Sequence, residues 1–287
     1  MERELWEVLC HFATRFYSRS ARCCYGDDVI CAVCWWAVVH DRPISWACDK
    51  DHWPADFRRP LPSQPTMSRR LRSAAIEQLL DDVEQALLTW FVVVGPRVLA
   101  VDGKALPVGG PSKDPDAAWG RASGGLAKGY KLHAVWGDAP LPMAWALSPL
   151  NMSERRMAAK LISDLPGQGF LLGDKQYDAN YLYEEAARAG YQLLAPQQRP
   201  GKALGHRRHS PHRLRGLELL KTEAGKELYR QRRRIEFRFA QLTNFVGGLS
   251  PLPFWVRRFN RVKLWVHSKL LINAIHQIKI NPALAGR

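Results

Sequence analysis

The chain has 287 residues, and 46% hydrophobic beside 24% charged is the balance of a folded globular protein, which excludes a disordered or fibrous one. Lys and Arg number 42 against 27 Asp and Glu, so the formal charge is +15, an excess that draws polyanions and makes nucleic acid the first partner to consider. The longest apolar runs, "VICAVCWWAVV" and "LLTWFVVVG", are too short to cross a bilayer and read as buried elements.

The opening "MERELWEVLCHF" lacks the basic-then-apolar layout of a signal peptide, so the expected location is the cytoplasm, with no membrane partner. Residues 1 to about 95 read as a helical, Pro-punctuated region. "DDVICAVCWWAVVHD" starts with acids suited to a helix N-terminus and continues as an apolar helix. All six cysteines precede residue 49. Cys31 and Cys34 form a C-x-x-C within that helix; zinc with Cys48 or His40 is one reading, and buried reduced thiols are the preferred one. Pro60, Pro62 and Pro65 interrupt the chain, after which Thr66 or Ser68 is expected to cap a short helix carrying Arg69, Arg70 and Arg72. Closely spaced arginines on such a helix suit entry into a DNA groove, against the plainer reading of a solvated basic helix. "SAAIEQLLDDVEQALLTWF" has the 3.6-residue period of an amphipathic helix.

From residue 96 strands and helices alternate. "RVLAVDGK" reads as a strand, and "GYKLHAVWGD" and "LPMAWALS" as a hairpin. "SERRMAAKLISDL" is a helix with Ser153 at its N-cap, and "GFLLGD" a buried strand. Asp178 is expected to cap the helix "ANYLYEEAARAG", which Gly190 ends, before a last strand, "YQLLAP". Residues 197–226 form a basic polar insertion, followed by one long helix over 226–246 and an apolar-faced helix over 261–280. This order predicts an α/β fold, more closely an α+β mixed sheet covered by helices, of ribonuclease-H-like architecture over 96–287, preceded by a smaller helical DNA-binding domain over 1–95.

Asp102 follows an apolar strand and precedes Gly103 and Lys104. Asp174 repeats the pattern: apolar strand, Gly173, Asp, Lys175. Either alone is ordinary turn chemistry; the matched pair sets two carboxylates at one end of a sheet. A third acid, Glu236, stands among Arg232, Arg233, Arg234 and Arg238. Its plain reading is i,i+4 pairing worth a few tenths of a kcal/mol. Spacings of three and four also put Tyr229, Arg232 and Glu236 on one helical face, where a phosphate and a metal could be held side by side. Between Arg199 and Arg238 there are 13 Lys or Arg against four Glu. Arg207 and Arg208 fall in this stretch and are assigned to DNA phosphates, as are His206, His209 and His212 in preference to metal. Trp119, in "DPDAAWGRASGG", is a candidate for stacking on a flipped base, with core packing as the default for Trp35, Trp36 and Trp265.

"VDGK", "GYKLHAV", "LGDKQYD" and "YRQRRRIEFRFAQL" together resemble the catalytic core of bacterial insertion-sequence transposases of the DDE type, in particular the subgroup whose helix carries Tyr-x2-Arg-x3-Glu-x6-Lys. The resemblance spans residues 96 to 275, and "LPSQPTMSRRLR" is similar to N-terminal regions of such proteins. It implies Asp102, Asp174 and Glu236 as catalytic, metal-binding acids, with Tyr229 and Arg232 on DNA phosphates near the cleaved end; Arg233, Lys104 and Lys175 are further candidates for DNA contact. Two departures are Thr243, where the pattern has Lys, and Gln176, where many relatives have Gly. The implied cofactor is Mg²⁺, with Mn²⁺ able to substitute, because a hard ion takes carboxylate oxygens without a His or Cys cage. The implied partners are transposon ends, target DNA and a second copy of the chain on DNA. A transposase-derived regulator without catalysis and a ribonuclease-H-like nuclease without strand transfer are the alternatives.

Overall fold

A computed structural model describes residues 1–16, 24–57, 59–91, 97–199, 201, 204, 208–249 and 251–281. It divides into two compact units. One comprises Met1–Val92, Ser112–Pro115 and Gln241–Arg287; the other comprises Val93–Pro111 and Asp116–Ala240.

The first unit is helical: α1 (Glu2–Phe16), α2 (Asp27–Val39), α3 (Ile44–Ala47), α4 (Gln64–Arg70) and α5 (Ala74–Thr89). Asp27 and Asp28 occupy the first turn of α2, where the helix dipole favours negative charge. The rest of α2 is apolar on every side, so it sits at the centre of the unit with Ile30, Val33, Trp35 and Val38 buried. Helix α4 begins earlier than expected. Ser63 is its N-cap, and Pro65, read above as a breaker, lies within the first two helical positions, where its fixed φ suits the helix. Thr66 and Ser68 are therefore interior residues of α4.

In the second unit the chain forms β1 (Arg97–Pro107), β2 (Ala118–Ala122), β3 (Gly125–Trp136), β4 (Ala144–Pro149), α6 (Glu154–Ser163), β5 (Gly169–Leu172), α7 (Asn180–Arg188) and β6 (Tyr191–Leu194). Strand order is β2-β3-β1-β5-β6, with β4 also paired to β3. The β1–β3 and β3–β4 pairs are antiparallel, while β1–β5 and β5–β6 are parallel. This mixed α/β sheet, an antiparallel meander continued by parallel strands with helical crossovers, has the ribonuclease-H-like form. Leu99 and Val101 of β1 pack with Val135, Ala158, Leu161 and Leu171 on the face covered by α6. On the other face Trp136 meets Phe239 edge-on at 5.6 Å. The short β2 was not anticipated; it pairs with the outer end of β3 and leaves Trp119 55% exposed, so it carries little apolar signal.

Two local expectations change. Ala179, not Asp178, is the N-cap of α7. The buried Asp178 instead takes a two-pronged grip from Arg213, at 2.6 Å from Nε and 2.8 Å from a terminal nitrogen, and accepts the Gln198 N–H at 2.9 Å. The basic stretch contains α8 (Pro211–Leu219), and the long helix expected over 226–246 is two: α9 (Glu223–Arg230) and α10 (Arg233–Thr243), parted at Gln231 and Arg232.

The last helix, α11 (Phe259–Ile280), groups with α1, α2 and α5 rather than with the sheet with which its sequence position had placed it. It buries residues around its whole circumference, which requires helices on several sides. Lys269, fully buried, donates to Val38 O at 2.8 Å, Asp41 Oδ1 at 2.6 Å and Gly247 O at 2.8 Å, so all three ammonium protons are used.

Candidate active site

The last parallel rung between β1 and β5 joins Ala100 to Leu172. Asp102 and Asp174 each stand two residues beyond it, so the strand register itself delivers both aspartates to the same end of the sheet. Alternation along β1 turns Asp102 and Lys104 to the face of α10, and Val101 and Gly103 to the face of α6. Asp102 Oδ1 accepts the Gly103 N–H at 2.8 Å. Asp174 Oδ1 accepts the Gln176 N–H at 2.7 Å and so caps the single 3-10 turn Lys175–Tyr177.

The break between α9 and α10 brings in the third acid. Arg232, at the break, lies 3.5 Å from Asp102 Oδ2 and donates to Glu236 Oε1 at 2.9 Å. Tyr229, at the end of α9, donates its hydroxyl to Gly173 O at 3.1 Å, next to Asp174 in the chain. One guanidinium thus ties Asp102 to Glu236, and one phenol ties the end of α9 to the segment carrying Asp174. Burial pushes the Asp102 carboxyl up to about 6; the Gly103 N–H and Arg232 oppose that rise, and the charges of Asp174 and Glu154 add to it. Burial likewise raises Tyr229.

The two glycines beside the aspartates make room for side chains of the protein itself. A Cβ on Gly103 would meet the Lys131 stem at 3.0 Å, and one on Gly173 would meet Tyr177 at 2.9 Å. Lys131 pairs with Glu154 at 2.5 Å, and Arg155 donates to Gln176 O. None of Lys131, Glu154, Arg155 and Arg213 was singled out from sequence, and Asp178 only as a helix cap. The visible signal for the first was a Lys and a His at alternate positions, 131 and 133, on the inward side of an otherwise apolar strand. Buried His133 bonds Ser148 at 2.9 Å, and burial, aided by Lys131, holds it down to about 4, so it is neutral at physiological pH.

The other candidates separate by environment. Lys104 is half-buried with its ammonium 5.9 Å from the Phe239 ring centre, and burial lowers its pKa. Lys175, Arg233 and Arg208 are exposed. In the helical unit Arg69 and Arg72 are exposed, but Arg70 is 18% exposed and committed to Asp27 at 2.6 Å and Tyr25 O at 3.0 Å. A guanidinium so engaged braces the start of α2 and is withdrawn from the DNA-facing set. Arg207 and His206 lie outside the described residues.

All three candidate residues offer carboxylate oxygen, the donor set of a hard divalent ion, with no thiol or imidazole among them. Their ligand atoms do not gather as closely as those of Asp81, Glu84 and His267, the one trio among the described residues within 4.8 Å of one another. In that trio His267 Nε2 sits 2.6 Å from Glu84 Oε2. That is shorter than the ~3.3 Å between two ligands of one tetrahedral zinc ion, so the contact reads as a direct approach of α11 to α5. No described cysteine belongs to such a group. Burial raises Cys31 well above the usual thiol value and Cys34 to about 12, which favours the protonated thiols. No helix is long and apolar enough to cross a membrane among the described residues.

Residues 94–272, more than half of the chain, match a family model described as "Transposase DDE domain". No curated protein matches the chain.

Proposed function

The chain belongs to the DDE transposase family, and from that premise we propose that Asp102, Asp174 and Glu236 are its catalytic triad in DNA cleavage and strand transfer. DNA is the family's substrate, and divalent metal ions are its cofactors. Asp102 and Asp174, two residues past a shared rung, would hold Mg²⁺, or Mn²⁺ in its stead, with Glu236 completing the set. Bound ions of this kind polarise the scissile phosphate and lower the pKa of an attacking water or hydroxyl.

The chain's own groups do the rest. Arg232 already spans Asp102 and Glu236, and its planar fork is suited to a phosphate between them. Tyr229, whose hydroxyl donates to Gly173 O in the DNA-free chain, would turn that one donor to a phosphate oxygen and does not act as a nucleophile. In the first stage water cleaves a phosphodiester and leaves a 3′-hydroxyl. In the second that hydroxyl attacks a phosphodiester of target DNA, exchanging one P–O bond for another. Exposed Arg69 and Arg72 of the N-terminal helical domain, with Lys175, Arg208, Arg233 and the basic stretch, bind the DNA backbone. Two copies of the chain would bring two ends together, in the cytoplasm. Thr243, where the subgroup signature has Lys, ends α10 and leaves one phosphate contact to another basic side chain.

The observation that carries this reading is the Arg232 bridge between Asp102 and Glu236, which draws acids 134 positions apart in the numbering into one electrostatic unit. The test is incubation of the purified protein with labelled DNA from either side of its gene, in Mg²⁺. Nicked ends followed by joined products are expected. Cleavage without joining favours the nuclease, and binding without cleavage favours the regulator; either contradicts the proposal.

A further inference from the structure

Behind the proposed triad, on the opposite face of β1, lies an ion pair of 2.5 Å between Lys131 of β3 and Glu154 at the start of α6. Its side chains are only 10% and 21% exposed, so the pair is largely out of water, where charges act over longer range than at a surface. Gly103 sets how near it comes to the aspartate. The Lys131 stem crosses at 3.0 Å from where a Cβ would stand, and Glu154 Oε1 lies 3.6 Å from the same point. The residue that follows Asp102 thus puts no side chain between the pair and the site. Glu154 is also among the charges that act on Asp102 and on the buried Tyr177 beneath Gly173.

We propose that Lys131 and Glu154 form a charge-setting pair for the carboxylate site, with Glu154 as a fourth acid that strengthens its hold on a divalent cation and Lys131 as the counter-ion that limits it. The inference rests on the metal-binding reading of Asp102 and Asp174. Neither residue is a catalytic group; both act through Asp102. An ion pair serving only to hold α6 on the sheet would behave symmetrically, since removing either partner leaves the other buried and unpaired. A charge-setting pair behaves with opposite signs. Glu154→Gln removes a negative charge and leaves a bare ammonium, so cation binding weakens. Lys131→Met unmasks Glu154, so cation binding tightens.

The experiment is isothermal titration of the full chain with Mn²⁺ alone, without DNA, alongside thermal melts. Glu154→Gln is expected to weaken Mn²⁺ binding and Lys131→Met to tighten it, each by about five-fold as charges at this range and partial burial would give. The reversed pair, Lys131→Glu with Glu154→Lys, keeps an ion pair and hence the packing. It puts the cation on α6 and is expected to weaken Mn²⁺ binding, whereas a structural pair would leave it unchanged. Changes of the same sign in both single variants, or an unaltered reversed pair, overturn the proposal. An isotherm indifferent to Asp102→Asn as well removes the metal reading of the triad, and the inference falls with it. One sensitive to Asp102→Asn but indifferent to Lys131 and Glu154 overturns the inference alone.

Discussion

Asp102 carries a conflict between burial and its proposed role. Its carboxyl titrates at about 6, chiefly because burial penalises the charged form, against an unfolded value near 3.8. The sign follows directly. Between these two values the folded chain binds more protons than the unfolded one, so stability falls as pH rises from about 4 to 6 and stays reduced above that. Asp102→Asn removes the ionising group. In chelator, the variant is expected to melt above the wild type at pH 8, with the gap narrowing as pH falls through 6 and closing near 4. Thermal melts across that range check it, and a variant less stable at every pH would contradict it. The pair Asp102 and Asp174 was legible in the sequence because the same local grammar, apolar strand then small residue then Asp-Lys, occurs twice. Glu154 was not, because an acid in the first turn of a helix is explained by the dipole alone and nothing local ties it to Lys131.

Elements were legible where a single period governed them, as in β1, β3 and α5, and less so where a distant partner decided. Asp178 stands where an N-cap belongs, yet Arg213, 35 positions on, claims its carboxylate, and Ala179 begins α7 instead. Helical periodicity continues unbroken from 226 to 246, but the chain parts at Arg232, which turns to Asp102 and Glu236. Pro65 was read as an interruption because position alone does not tell a breaker from a first-turn residue. The Asp178–Arg213 clasp joins the segment after Asp174 to α8, and both side chains are largely buried. Asp178→Asn leaves a buried guanidinium without its counter-ion and is expected to cost roughly 3–5 kcal/mol in urea unfolding, with Arg213→Met in the same background recovering part of it. A loss below ~1 kcal/mol would make the clasp an ordinary surface pair.

At the scale of the molecule, composition foretold a polyanion partner, and the charge of +15 fits a chain that handles DNA. The mixed sheet follows from the alternation of strands and helices after residue 96, which sequence pattern carries well. The placement of α11 among the N-terminal helices does not, because an apolar helix at the end of a chain reads the same whichever core it completes. What unites these scales is a sheet whose register sets two aspartates side by side and a helix break that adds a glutamate. The most direct test is the rate of Mg²⁺-dependent cleavage of the flanking DNA by Asp102→Asn, Asp174→Asn and Glu236→Gln, with DNA binding measured on the same preparations. Each is expected to lose cleavage by roughly a thousandfold, several kcal/mol of transition-state stabilisation, while binding stays within about threefold. Any one of the three cleaving at near wild-type rate would contradict the account.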